Sequence, residues 1–345
     1  MKRLYNKEDS RELKEKMLQS SEERYTLSLY QYYQIGNPNL FRDYLFIHWN
    51  EFDVFGRIYV SNEGINAQIS VPVSKFDAWR DDLYQITFLD GIRLNKAIED
   101  DGKSFYKLKI KVREKIVADG LNDETFDVTN TGKHLNAEEF NKLTDEDDTI
   151  LIDMRNHYEH EVGHFEGAIL PDVDTFREEL IKVRNIVDGK NDKNIVMYCT
   201  GGIRCEKASA WLKHEGFPNV HQLNGGIIEY ARQVDNKGLK NKFKGKNFVF
   251  DERLGERISD EIISSCHQCG EPSDDHTNCV NEGCHLLFIQ CSDCKKKMEN
   301  TCSHECHRII HLSEEEQKDI RKNTPKKVNI FKKGRSENLP FMKKN

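Results

Sequence analysis

The stretch from Asn194 to Gly216, NIVMYCTGGIRCEKASAWLKHEG, constrains this chain most: an apolar run, a glycine turn opening on Cys199, then an amphipathic helix. Ile195, Val196, Met197 and Tyr198 form a short β-prone run of the kind buried in a parallel sheet, and Ala208, Trp211 and Leu212 recur at helical spacing. The expectation is strand, turn, helix, with Cys199 at the strand's carboxyl end. Thr200, Gly201, Gly202, Ile203, Arg204 and Cys205 then lead into a helix N-terminus, where converging backbone N–H groups favour an anion. Such surroundings lower a thiol's pKa.

The same alternation continues on both sides of this turn. TILIDMR reads as a buried strand, Thr175 to Ile186 as a helix, and NVHQL as a strand ending at Asn224-Gly225-Gly226. Residues 130–236 are therefore expected to form an α/β domain with a mainly parallel sheet, whose site lies beyond the carboxyl ends of the strands.

Residues 25–121 follow a different order: strand, helix, two strands around Asn62-Glu63-Gly64, helix, strand. This is the order of ferredoxin-like α+β domains, which host many functions. The last strand, SFYKLKIKV, alternates Lys107, Lys109, Lys111, Arg113 and Lys115 on one face with Leu108, Ile110, Val112 and Ile116 on the other. Five like charges on one face repel, and beside Phe105 and Tyr106 they read as a strip for phosphates and bases. A solvated sheet face is the plainer alternative. Asn62, Glu63 and Asn66 are candidate substrate contacts, with a hairpin turn as the alternative.

Residues 1–24 read as a charged tail or frayed helix, 237–262 as a basic connector with interleaved phenylalanines, and 313–345 as a basic tail carrying Lys326, Lys327, Lys332, Lys333 and Arg335. Between the last two, residues 263–312 hold eight of the ten cysteines. Cys266 and Cys269 form one C-x-x-C and Cys291 and Cys294 a second, with Cys279, Cys284, Cys302 and Cys306 remaining. Eight thiolates suit two tetrahedral sites, and structural zinc is expected. One pairing joins the two C-x-x-C knuckles, with nearby histidines as substitute ligands; spacing alone leaves the pairing open.

No apolar run approaches the roughly 18–20 residues of a membrane span, and MKRLYNKEDSRELKEK lacks the apolar core of a secretion signal. A cytoplasmic location and no membrane partner are expected, consistent with clustered thiols. The net charge of −7 hides an uneven distribution: residues 122–193 carry 19 acidic and 8 basic side chains, residues 321–345 one acidic and 9 basic. Phosphate contacts respond to local cations, so an RNA partner is compatible with the overall balance.

The longest motifs resemble known families. LIDMRNHYEHEVGHFEGA, CTGGIRCEKA and NGGIIEYA resemble a rhodanese domain. Four residues separate Cys199 from Arg204, a loop of sulfurtransferase size; the related phosphatase loop is one residue longer, which disfavours phosphatase chemistry. GRIYVSNEGINAQISVP, DDGKSFYKLKIKVREKIVADGLNDETFD, GKNFVFDERLGERISDEII and the cysteine knuckles narrow the resemblance, over nearly the whole chain, to the oxygen-dependent tRNA uridine(34) hydroxylases. That resemblance implies conversion of the wobble uridine of certain tRNAs to 5-hydroxyuridine, using O2 and an electron donor, with Cys199 as the catalytic cysteine. No flavin or haem motif and no iron-binding motif of two histidines and a carboxylate is legible, so the electron donor is left unidentified. A rhodanese-type tRNA sulfurtransferase, which would carry a persulfide on Cys199, is the alternative enzyme; a non-catalytic RNA-binding module is the third reading.

Overall fold

A computed structural model of the protein describes residues 4–6, 8–122, 124–323, 333–336 and 339. Lys326, Lys327 and Lys332 of the basic tail lie outside the described residues. The described residues fall into two compact units, the first within residues 1–154, 180–241 and 250–253, the second within 155–179, 242–249 and 254–345.

The first unit opens with α1 (Ser10–Gln19), β1 (Arg24–Tyr32), α2 (Pro38–Glu51), β2 (Phe55–Ser61), β3 (Gly64–Pro72), α3 (Phe76–Tyr84), β4 (Asn95–Lys96) and β5 (Leu108–Val112). Local sequence explains the helices. Asn37 caps α2 by accepting from the Leu40 N–H, and Pro38 follows where its missing N–H costs nothing. Phe76, Trp79 and Leu83, spaced for one face, are the buried residues of α3. Trp79 meets Trp49 of α2 edge-on at 5.8 Å, over a sheet face of Ile58, Val60, Ile65, Ala67 and Ile69.

The sheet order is β4-β1-β3-β2-β5, antiparallel except for β5, which runs parallel to β2. This is the ferredoxin-like order with one change. The edge position beside β1, expected of the lysine-rich strand, is held by the two-residue β4, and the lysine-rich β5 forms a fifth strand at the opposite edge. The reason is local: the Asp100 carboxylate accepts from both the N–H and the hydroxyl of Thr26, satisfying the β1 edge where pairing would otherwise continue. The strand at β5 is also shorter than the run of alternating residues. Arg113 still donates its N–H to Val60, but Lys115 lies beyond the strand, its ammonium on Asp119 at 2.7 Å and the Leu121 carbonyl at 2.5 Å. Lys115 thus leaves the cationic face.

Chain order continues with β6 (Lys133–Leu135), α4 (Ala137–Leu143), β7 (Thr149–Asp153), α5 (His157–His160), β8 (Gly163–Phe165), α6 (Phe176–Val187), β9 (Asn194–Tyr198), α7 (Ile203–His214), β10 (Val220–Leu223) and α8 (Gly226–Lys237). Strands β6, β10, β9 and β7 form, in that order, the expected parallel sheet. β9 sits inside it, and Ile195, Val196, Met197 and Tyr198 are each at most 1 % exposed, which is why that run carries no polar alternation. A capping box between Asn136 and Glu139 starts α4.

The second unit holds β8 paired with β11 (Phe243–Asn247), and β11 with β12 (Glu256–Arg257), all antiparallel. The buried Arg155 belongs to this unit, donating to the Gly163 carbonyl at 2.7 Å and to Asn247 at 3.4 Å. Next come the hairpin β13 (His276–Asn278) and β14 (Leu287–Ile289), then α9 (Ser292–Met298), α10 (His304–Ile310) and α11 (Glu314–Asn323). Here the core is partly sulfur: Cys279, Cys284, Cys302 and Cys306 pack with Leu286, Phe288 and Leu339.

Candidate active site

Cys199 follows β9, and its loop turns into α7 at Gly202, whose φ of 106° is a left-handed conformation that a side chain would strain. Sγ accepts the Gly202 N–H at 3.1 Å and hydrogen bonds from both the backbone and the thiol of Cys205. Burial pushes the Cys199 pKa up, but the Cys205 hydrogen bonds, the charge of Arg204 and the Gly202 N–H outweigh it and bring it from 9.0 to about 6. Cys205 goes the other way. Burial and the neighbouring Cys199 push its thiol well above 9.0. The two sulfurs form an asymmetric pair, one a thiolate at neutral pH and one a protonated donor.

The loop's amides turn inward because its carbonyls are held outward. The Cys199 carbonyl accepts from Ile227 N–H at 3.0 Å and the Thr200 carbonyl from Ile228 N–H at 3.3 Å, both at the start of α8. A Cβ on Gly226 would lie 2.5 Å from each of these oxygens, so only glycine lets the helix approach this closely.

The first domain covers the loop. A Cβ on Gly202 would lie 2.6 Å from the Tyr30 hydroxyl, and one on Gly201 3.7 Å from Ser28 Oγ and 3.8 Å from Asn95 Nδ2. Tyr30 donates to Glu206 Oε1 at 3.1 Å, which also pairs with His134 Nε2 at 2.9 Å, while Gln222 donates to Glu206 Oε2 at 3.0 Å. One position further along α7, the fully buried Lys207 ammonium lies 2.6 Å from Glu63 Oε2 and 3.1 Å from Asp119 Oδ2. Tyr32 hydrogen-bonds the Ile203 carbonyl at 3.4 Å.

Of the candidate residues around the Asn62-Glu63-Gly64 turn, Glu63 thus meets α7 through a charge pair. Glu63 also accepts the Ile116 N–H at 2.7 Å, Asn66 donates to the Ile116 carbonyl at 3.2 Å, and Asn62 to the Ile35 carbonyl at 3.0 Å. On the far edge of that sheet, Lys109 sits among Lys111, Lys107, Arg57 and Arg113. Burial first, then these cations, push its ammonium pKa down. Arg57 joins the cluster through register, directly opposite Lys109. With Tyr106 and the carboxylates Asp251 and Glu252, the cations Arg57, Lys107 and Lys109 line a cavity of about 70 Å³.

The eight clustered cysteines form two tetrads, Cys266–Cys269–Cys291–Cys294 and Cys279–Cys284–Cys302–Cys306, each with its sulfurs within 4.8 Å of one another and able to hold a metal ion. The pairing left open by spacing is therefore the one that joins the two C-x-x-C knuckles. Sulfur separations of 3.6 Å (Cys269–Cys291, Cys284–Cys302) and 3.7 Å (Cys302–Cys306) are far beyond a disulfide bond. They approach the edge of roughly 3.8 Å that four sulfurs at about 2.3 Å from a shared metal would form.

Tyr30, Tyr32, His134, Glu206, Lys207, Gln222 and Gly226 were not singled out from sequence. Glu206 and Lys207 stand inside the quoted CTGGIRCEKA motif, and Gly226 inside NGGIIEYA; for Tyr30 the only sign is its place in the first strand of the ferredoxin-like order.

Fold and loop together define a rhodanese-domain protein with an acylphosphatase-like domain before it. Family models described as a rhodanese-like domain match residues 136–233, as a UPF0176 acylphosphatase like domain residues 24–116, and as Rhodanase C-terminal residues 244–307. Proteins named tRNA uridine(34) hydroxylase are similar along almost the entire length: 55 % identical in Pectobacterium atrosepticum, covering 96 % of this chain and 94 % of that protein, and 56 % in Salmonella heidelberg, covering 96 % and 95 %. The chain belongs to the tRNA uridine(34) hydroxylase family. Among solved structures, a rhodanese-like domain from Anabaena is 18 % identical, covering 32 % of this chain and 78 % of that one, with a TM-score of 0.26.

Two expectations follow from this geometry. Alkylation of Cys199 by iodoacetamide, followed by peptide mass spectrometry, should rise with pH through about 6 rather than 9.0, and Arg204→Gln should move that rise to higher pH. Lys207→Met leaves Glu63 without its buried cation and Asp119 with Lys115 alone; it should cost roughly 3–5 kcal/mol and lower the denaturant midpoint accordingly.

Proposed function

We propose that this chain hydroxylates C5 of the wobble uridine, position 34, of tRNA to give 5-hydroxyuridine, with O2 as oxidant and Cys199 as nucleophile. What carries the reading is 55 % identity over 96 % of the chain to a protein named tRNA uridine(34) hydroxylase, together with a lowered-pKa thiol in the loop common to rhodanese domains. The Cys199 thiolate adds to C6 of the uracil. This puts negative charge on the C4 oxygen and C5, where the inward-facing loop amides and Arg204 stabilise it and C5 becomes able to take oxygen. Lys107, Lys109, Lys111 and Arg113, joined by Arg57, contact tRNA phosphates; Asn62, Glu63 and Asn66 act from the wall of the site, Glu63 by fixing α7 through Lys207. The class of enzyme is an oxidoreductase acting in the cytoplasm. Among the described residues no helix is long and apolar enough to cross a membrane.

Both tetrads are proposed to hold zinc as closed structural sites, since four thiolates at tetrahedral separation satisfy that ion completely and leave no position for substrate. The Cys279 tetrad lies in the apolar core of its segment, so metal binding there is also folding energy.

Mass spectrometry of tRNA nucleosides tests the function. Cells lacking the protein should lose the 5-hydroxyuridine that depends on it, and complementation with Cys199→Ala should fail to restore it; restoration would exclude the nucleophile. A thiolated nucleoside in place of the hydroxylated one would establish sulfur transfer instead. Lys109→Glu with Lys111→Glu should weaken tRNA binding and make its salt dependence shallower, by about 0.7–0.9 in logarithmic slope per lost phosphate contact. Elemental analysis of protein purified without chelator should find two zinc ions per chain, and their removal should unfold the cysteine-rich segment; iron in their place would reassign the tetrads.

A further inference from the structure

Hydroxylation by O2 uses one oxygen atom and must reduce the other to water, which takes two electrons beyond those of uridine. Two thiols closing to a disulfide release two electrons and two protons. The structure places one candidate pair beside the reacting position. Cys199 and Cys205 are hydrogen-bonded to each other through their side chains and buried to 1 % and 0 % exposure. The other eight cysteines belong to the two tetrads.

We propose that Cys205 is the internal reductant of the hydroxylation, and that each turnover closes a Cys199–Cys205 disulfide which a cellular dithiol then reopens. This rests on the hydroxylase reading above. The steps balance. Cys199 sulfur bonds to C6, and the C5–C6 electron pair moves to C5. C5 gives that pair to O2, forming a C5–O bond, and the hydroperoxide takes a proton. The Cys205 sulfur attacks the distal oxygen, and the O–O bond breaks. The proximal oxygen stays on C5 as a hydroxyl, taking the proton that leaves the thiol, and Cys205 becomes a sulfenic acid. Loss of the C5 proton restores the C5–C6 double bond and expels the Cys199 thiolate. That thiolate attacks the Cys205 sulfur, the disulfide closes, and the hydroxide leaves as water. The sum is uridine, O2 and two thiols to 5-hydroxyuridine, one disulfide and one water.

The geometry suits each part. Cys205 has its thiol directed at Cys199 and its N–H on the same sulfur, in the first turn of α7. Five residues separate the two cysteines, and two of them, Gly201 and Gly202, can absorb the change as the sulfurs close from hydrogen-bond contact to a bond of about 2.05 Å. Complete burial keeps a sulfenic acid at Cys205 from bulk oxidants, so it meets Cys199 before further oxidation. The split in acidity serves the same order of events: the thiolate adds first, and the protonated partner keeps both its proton and its electrons until the hydroperoxide forms.

The test uses the full-length, zinc-loaded protein, reduced and then freed of reductant under anaerobic conditions. It is mixed with an unmodified tRNA transcript bearing uridine 34 and with O2-saturated buffer. We expect wild-type protein to make one 5-hydroxyuridine per chain and stop, to lose two titratable thiols, and to yield a disulfide-linked Cys199–Cys205 peptide pair. Dithiothreitol should restore multiple turnovers. Cys205→Ser should reduce the burst without reductant to near zero. A wild-type burst with no loss of thiols, or a Cys205→Ser burst equal to wild type, overturns the proposal; because the thiol count is made on wild-type protein, it stands apart from any folding defect of the variant. Absence of 5-hydroxyuridine from wild-type protein even with dithiothreitol would instead overturn the hydroxylase reading, and this inference with it.

Discussion

A buried anionic sulfur is the constraint from which the central domain is arranged. A charge out of water is costly unless several donors replace the solvent, and Cys199 receives the Gly202 N–H, the Cys205 N–H and the Cys205 thiol, with Arg204 nearby. Amides can face one way around a tight turn only if the carbonyls face the other. The carbonyls of Cys199 and Thr200 are taken by the first amides of α8, at a point where Gly226 leaves room for backbone alone. The glycines of the Cys199 loop and those before α8 are therefore two halves of one device. One faces amides toward the sulfur and the other collects the carbonyls.

Helix α7 also carries two adjacent charges, Glu206 and Lys207, that point to different neighbours. Glu206 gathers Tyr30, His134 and Gln222, while Lys207 gathers Glu63 and Asp119. Each set crosses from α7 to the ferredoxin-like domain or to its connection. A buried ion pair contributes little net stability, but it penalises any arrangement that separates its members, so its contribution is to orientation. Tyr30, kept neutral by burial and by Glu206, closes over Gly202 from the same side. The thiol loop is thereby fixed against the domain that presents the cationic edge strand.

Much of this was legible in residue order. The β9 run had no polar alternation because both faces are covered, the 3.6 period of Phe76, Trp79 and Leu83 marked a buried helix face, and the knuckle spacing marked cysteines that converge in groups able to hold a metal ion. Other features were hidden for physical reasons. At the β1 edge a carboxylate, Asp100, takes the Thr26 N–H in place of a strand partner, and no periodicity announces that. Lys115 continued the alternation in sequence but left the strip because Asp119, four residues on, draws its ammonium away. Tyr30 and His134 reach the site only through tertiary contact. Glu206 and Lys207 lay in plain view within the motif, yet on a helix surface charged residues read as solvated until their partners are known.

The contrast between the two sulfurs bears on how a rhodanese loop can serve hydroxylation. Sulfur transfer needs one thiolate that accepts and releases a sulfur atom, and a second thiol beside it would intercept the persulfide by forming a disulfide. Under the reaction proposed here that interception is the useful event, because it supplies the two electrons hydroxylation demands. Nucleophilicity requires the thiolate, and a reserve of electrons requires a thiol that does not react early. Burial and the shared hydrogen bond separate the two acidities in the required direction, lowering Cys199 and raising Cys205.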